Sequence, residues 1–187
     1  MGLDMYVYKA TKPTGFKKKT TYDYDKLREK DYCMFEATDV EDAKWFADLM
    51  PFCVKINCVA KYYNMPYIAH KFNLGENAHW CGFGPDGVYF KGDNREITIP
   101  DNDINRYCIR KEKEWYVTKI KQVAYWRKHY ELQDALHDAY KINGVDVENC
   151  GYYKLNDSIL EIIKKMSKTK FGLGRYKTET LMYHEWY

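Results

Sequence analysis

Hydrophobic and polar positions change period several times along this chain, and each change marks an element. From Leu3 to Lys9 they alternate, with Leu3, Met5 and Val7 on one side and Asp4, Tyr6 and Tyr8 on the other. That period of two predicts a half-buried strand. Pro13, Gly15 and the run Lys17–Lys19 then predict a polar loop. Thr38 followed by Glu41 fits a capping box, in which each side chain satisfies an orphan backbone amide. Val40, Ala43, Phe46, Ala47 and Met50 follow at helical spacing, so a helix is predicted up to Pro51. Phe52, Val54, Ile56 and Cys58 alternate with Cys53, Lys55 and Asn57 and predict a second half-buried strand.

Between Asn64 and Gly92 the pattern loses its regularity. GFGPDG, from Gly82 to Gly87, is a turn by composition, and Val88–Phe90 with Glu96–Ile99 predict a hairpin closed through Lys91–Asn94. A long helix is predicted from Ile120 or Val123 to about Ile142, with Trp126, Tyr130, Leu132, Leu136, Ala139 and Tyr140 as its apolar stripe and Asn143-Gly144 as its stop. A short strand follows around Gly151–Lys154. Asn156 or Asp157 then caps a third helix whose buried face is Ile159, Ile162, Ile163 and Met166. A basic loop at Ser167–Lys170 ends it, and Thr178–Tyr187 reads as a final strand. The expected fold is α+β: a mixed or antiparallel sheet covered by two C-terminal helices, with an inserted α/β segment.

Composition narrows the class. At 187 residues and 45% hydrophobic, the chain is long enough to build one ordinary core, and its core formers argue against wholesale disorder. No run approaches the roughly 18 apolar residues of a membrane span. The start MGLDMYVYKA carries no basic-then-apolar leader, so a cytoplasmic protein without a membrane partner is expected. The net charge of +3 is too small to imply nucleic-acid binding. It is unevenly spread, with +5 from Ile104 to Tyr187 and −2 before that; solvated surface lysines are the plainer reading of a mildly basic C-terminal part, and attraction of a phosphate-bearing ligand is the sharper one. Tyrosine is the outlier at 19 residues. It suits both a binding surface for bases or proteins and a tyrosine-rich set of strands. Six cysteines without a leader are expected to be reduced. Cys53, Cys58, His79 and Cys81 supply zinc-ligand chemistry, although their spacing matches no finger.

Three segments taken together resemble a known family. The start MGLDMYVYK, the run VAYWRK at Val123–Lys128 and NCGYY at Asn149–Tyr153 are similar to a family of small phage and prophage proteins of unknown function. FGLG at Phe171–Gly174 and HEWY at His184–Tyr187 resemble that family's glycine–aromatic segment and tail. The resemblance covers roughly the first ten and the last seventy residues. It implies phage origin and a host-cytoplasmic location, and it names no activity. Family members carry an Asn and an Ile-His pair shortly after YWRK; here the corresponding places hold Tyr130, Leu132 and Gln133. The block from about Tyr22 to Trp115 reads as an insertion or a replaced region. On that basis residues 1–21 plus 116–187 form the family-like core, and 22–115 elaborate the same compact domain.

The candidate ligand-binding residues are Tyr125, Trp126, Arg127, Lys128, Asn149, Tyr152, Tyr153 and Arg175. An arginine beside aromatic rings holds a phosphate or stacks on a base. The plainer alternative is a tryptophan core anchor with solvated basic neighbours. Asn149 either reads a base edge or caps a turn. No GxxxxGK[ST], HExxH or GxSxG occurs, and neither a catalytic group nor a cofactor is assigned. The leading expectation is a phage-type accessory protein that counters host defence by sequestering a small anionic, nucleotide-derived signal, with homo-oligomerisation closing the pocket. The alternatives are a protein-binding inhibitor of a host defence effector and an enzyme that degrades a nucleotide signal.

Overall fold

A computed structural model describes residues 2–169 and 179–187. In chain order the elements are β1 (Asp4–Thr11), β2 (Thr21–Asp23), α1 (Tyr24–Arg28), β3 (Tyr32–Glu36), α2 (Ala37–Val40), α3 (Phe46–Leu49), β4 (Val54–Tyr63), α4 (Met65–Phe72), β5 (His79–Gly84), β6 (Gly87–Lys91), β7 (Glu96–Ile99), α5 (Asp101–Ile104), β8 (Cys108–Arg127), α6 (Tyr130–Ile142), β9 (Tyr152–Lys154), α7 (Asp157–Ser167) and β10 (Glu179–Trp186). This is the expected α+β class. The chain forms two compact units, residues 1–58 with 113–187 and residues 59–112. It leaves the first unit within β4 and returns within β8. Residues 22–58 contribute β2, β3, α2 and α3 to the first unit.

The first unit is organised by β1. It pairs antiparallel with β10 from Asp4↔Trp186 to Thr11↔Glu179, and with β8 from Asp4↔Arg127 to Thr11↔Lys119. The strand order is β2-β4-β8-β1-β10-β9, with β3 also paired to β8. Directly opposed residues share a face. One face therefore carries Met5, Val7, Tyr183 and Tyr153, and α6 and α7 cover it with Leu132, Leu136, Tyr140, Ile159, Leu160 and Ile163. This is the main core. On the other face Ala10, Met182 and Tyr152 pack under Val40, Phe46, Leu49 and Cys53.

The two C-terminal helices begin and end on the signals that their sequences carry. Asn156 caps α7 by accepting the Ile159 N–H at 2.9 Å. Asn143 and Gly144 close α6, the glycine with φ of 75°. The expected helix over Thr38–Met50 is instead two short turns, α2 and α3. Thr38 does not cap it: its hydroxyl donates to the Glu36 carboxylate at 3.0 Å, and Glu36 is the residue before the helix. The start of α6 is also later than expected. Residues 120–127 lie in the 20-residue β8, where they pair with β1. Their composition is compatible with this, since Ile120 and Val123 are β-branched and Tyr125 and Trp126 are aromatic.

The second unit holds the antiparallel sheet β5-β6-β7, packed with α4 through Ile68, Leu74, Val88, Phe90 and Ile99. Both expected turns are present. The second of them joins β6 to β7, and GFGPDG is a tight hairpin in which Gly87 has φ of 133° and a Cβ there would lie 2.2 Å from the Ile99 carbonyl. No helix among the described residues is long and apolar enough to cross a membrane.

Leu136 is fully buried between α6 and the sheet. Leu136→Ala is expected to lower stability by about 2–5 kcal/mol, the usual cost of a core truncation. A urea titration followed by far-UV circular dichroism checks this, and an unchanged midpoint contradicts the packing described.

Candidate functional site

Strand geometry decides where the Tyr125–Lys128 cluster points. Helical phasing would spread these four residues around an axis. On β8 they alternate, so Tyr125 and Arg127 project from one face, opposite Tyr6 and Asp4. Trp126 pairs with Met5 and packs against the main core on the other face. Lys128 ends the strand with φ of 55°, its N–H bonded to the Leu3 carbonyl at 2.9 Å. His129 then caps α6: its Nδ1 accepts the Leu132 N–H at 3.3 Å.

Register builds a row of rings across four strands: Tyr125, Tyr6, His184 and Tyr152. Their centroids are 5.1 Å, 5.9 Å and 4.4 Å apart in turn. Tyr152 and His184 are stacked within 18° of parallel, and Tyr8 stacks on Tyr6 within 13°. Each such pair contributes about 0.5–1.5 kcal/mol beyond burial. Because these rings stack on one another, the inner part of the row offers little free aromatic surface. Tyr125 at its end is 45% exposed. His184 donates Nδ1–H to the Gly151 carbonyl at 3.0 Å. Burial holds its imidazole below the usual histidine value, and burial also pushes Tyr8 up to about 12.

One residue pair further along lies a second row, Arg127, Asp4 and Trp186. Asp4 Oδ1 accepts the Tyr125 hydroxyl at 2.6 Å and lies 3.8 Å from Arg127 Nε. The Trp186 ring is 56% exposed. Helices α2 and α3 cover the opposite end of this face, around Ala10 and Met182. Arg127 also lines a shallow depression of about 560 Å³ with Lys128, His129, Tyr130 and Glu131. A second cavity, of about 280 Å³, has Asp48, Asp146 and Glu148 against one Lys44, with Trp45 and Tyr153 in its walls. Three carboxylates to one ammonium disfavour an anion there.

The remaining candidates have structural partners. Asn149 clasps the Tyr187 backbone, donating to its carbonyl at 3.0 Å and accepting its N–H at 3.1 Å. Tyr153 is buried on the helix-covered face, and its hydroxyl accepts the Glu148 N–H at 2.6 Å. Tyr152 joins the ring row. The structure thus places Tyr125 and Arg127 on one face, both at Asp4, sets Lys128 beside Arg127 at the shallow depression, connects Tyr152 to Tyr125 through Tyr6 and His184, and places Trp126 and Tyr153 on the other face. Arg175 and the FGLG segment lie outside the described residues.

Two features escaped the sequence reading. Asp4, Tyr6 and Trp186 belong to the exposed face, and the period of β1 did place Asp4 and Tyr6 away from Met5. The other is Glu185, fully buried in an aromatic tail. Its carboxylate accepts Tyr183 Oη at 2.6 Å and Gln133 Nε2 at 3.2 Å, with His137 Nε2 3.0 Å from both oxygens. Gln133 and His137 are one turn apart on α6, but no spacing rule links them to a residue some fifty positions away.

Burial raises the Cys33 thiol to about 11 and the Cys53 thiol to about 12. Cys53 donates to the Leu49 carbonyl. Among the described residues no group of three or more His, Cys, Asp or Glu side chains is placed to hold a metal ion. No protein-family model matches this chain, and no curated protein or solved structure matches it either.

The depressed His184 gives a pH prediction with a definite sign. The unfolded chain takes up this proton more readily than the folded one, so the contribution is complete above about pH 6.5 and is lost as the pH falls below it. Chemical denaturation of the wild type and His184→Gln between pH 5 and 8 is expected to show a shallower acid-side loss in the variant. Equal slopes would contradict the assignment.

Proposed function

We propose that this protein is a phage-type accessory protein that captures a small anionic, nucleotide-derived signal of host defence and withholds it without turnover. The observation that carries this reading is the junction of β8 and α6. It gathers Arg127, Lys128 and His129 around one depression, two residues beyond the exposed ring of Tyr125. A guanidinium beside a flat ring suits a phosphate joined to a base, since the phosphate takes paired N–H donors and the base stacks. The positive end of the 13-residue α6 faces the same junction and adds to the attraction for an anion. The phage setting rests on the motif residues MGLDMY, YWRK and NCGYY.

A second reading has its own observation. In the second unit Trp80 and Phe83 are 46% and 71% exposed on β5, an edge strand, with ring centroids 5.3 Å apart. Exposed aromatic residues of this kind serve as anchors for a protein partner. A host effector bound there is the alternative.

Calorimetric titration with ADP-ribose and with cyclic dinucleotides tests the first reading. Binding in the micromolar range is expected, weakened roughly 10-fold or more by Tyr125→Ala and by Arg127→Ala, since a base stack or a charged contact is worth about 1–3 kcal/mol. No heat and no thermal shift at micromolar ligand would overturn it.

A further inference from the structure

Between Arg127 and Trp186 stands a carboxylate, and a site built only to attract an anion has no use for one. Asp4 is opposed by Arg127 on β8 and by Trp186 on β10, so the three side chains stand in one row on the exposed face. Both contacts that hold Asp4, from the Tyr125 hydroxyl and from Arg127, fall on Oδ1. Oδ2 meets no donor among the described residues. The carboxylate is thus held by one oxygen and offers the other, between a cation and an exposed indole.

We propose that Asp4 reads the base of the captured nucleotide and selects guanine. The inference rests on the reading of this sheet end as a nucleotide site. A carboxylate has acceptors only. Guanine presents two neighbouring donors on one edge, its ring N1–H and its 2-amino group, and both can point at one carboxylate. Adenine and cytosine set one amino donor beside a ring acceptor, which a carboxylate repels. Uracil sets its single N–H between two carbonyls. Guanine alone meets Asp4 with two adjacent donors. Trp186 and Tyr125 then flank the base, and the phosphates extend towards Arg127 and Lys128.

Calorimetry with GDP, IDP and ADP tests this on the intact chain. IDP keeps N1–H and lacks the 2-amino group. GDP is expected to bind about 10-fold or more tighter than ADP, with IDP between them, which is the discrimination an edge-reading pair gives. In Asp4→Asn the preference for GDP over IDP and ADP is expected to collapse. If Asp4→Asn fails to fold, the order of the three ligands on the wild type still decides. Equal binding of GDP, IDP and ADP overturns the guanine assignment and leaves nucleotide capture standing. Failure of all three, together with ADP-ribose and cyclic dinucleotides, overturns both.

Discussion

The strict two-residue period of β1, held in register by a strand on each side, is the constraint on which the first unit depends. Eight residues pair with β10 and eight with β8. A slip of one position would turn Met5 and Val7 to the open face and bury Asp4 and the tyrosines under the helices. That outcome combines an exposed apolar stripe with an unpaired buried carboxylate, so the register is strongly specified. The irregularity in pairing with β8 between Val7 and Tyr8 leaves the β1 alternation intact and absorbs one residue on β8, at Val123.

The same register explains how a carboxylate comes to lie at the centre of the core. Glu185 is opposed to Met5 and so must face α6. A buried charge is tolerable only when hydrogen-bonded, and Tyr183, Gln133 and His137 together meet that need. The network ties the last strand to α6 by polar contacts inside an otherwise apolar layer. Removal of a partner costs more than the contact itself, because the carboxylate stays buried.

Tyrosine abundance invites the idea of a broad aromatic binding platform. The arrangement is more economical than that. Most of the rings on the open face pack on each other, from Tyr152 through His184 and Tyr6 to Tyr8, with the two end pairs stacked and the His184–Tyr6 pair tilted by 38°, and so stiffen the sheet. The aromatic surface left exposed is the end where the row stops, at Tyr125 and Trp186, close to the cations at the start of α6. A charged group and a flat surface are adjacent there because a strand ends and a helix begins within two residues, with Lys128 in the left-handed conformation that such a corner requires.

Local chemistry alone determined β1, the hairpin of β6 and β7, α7 with its Asn156 cap, the Asn143-Gly144 stop of α6 and the helix-facing residues Leu132, Leu136 and Ile159. In each case the deciding interaction lies within a few residues: a cap, a left-handed stop, a tight turn or a run of one clear period. Tertiary structure decided the rest. Tyr125–Arg127 carry apolar residues compatible with either period, and only pairing with β1 made them a strand, which sent Trp126 inward and left Arg127 out. The segment from Thr38 to Met50 has helical spacing, yet packing of Phe46 and Leu49 against the sheet broke it into two turns. Asn149 found the Tyr187 backbone, and Glu185 found Gln133 and His137, across separations no local pattern encodes. Alternation along a strand can be read from one segment, whereas the partner on the neighbouring strand is chosen by the fold as a whole.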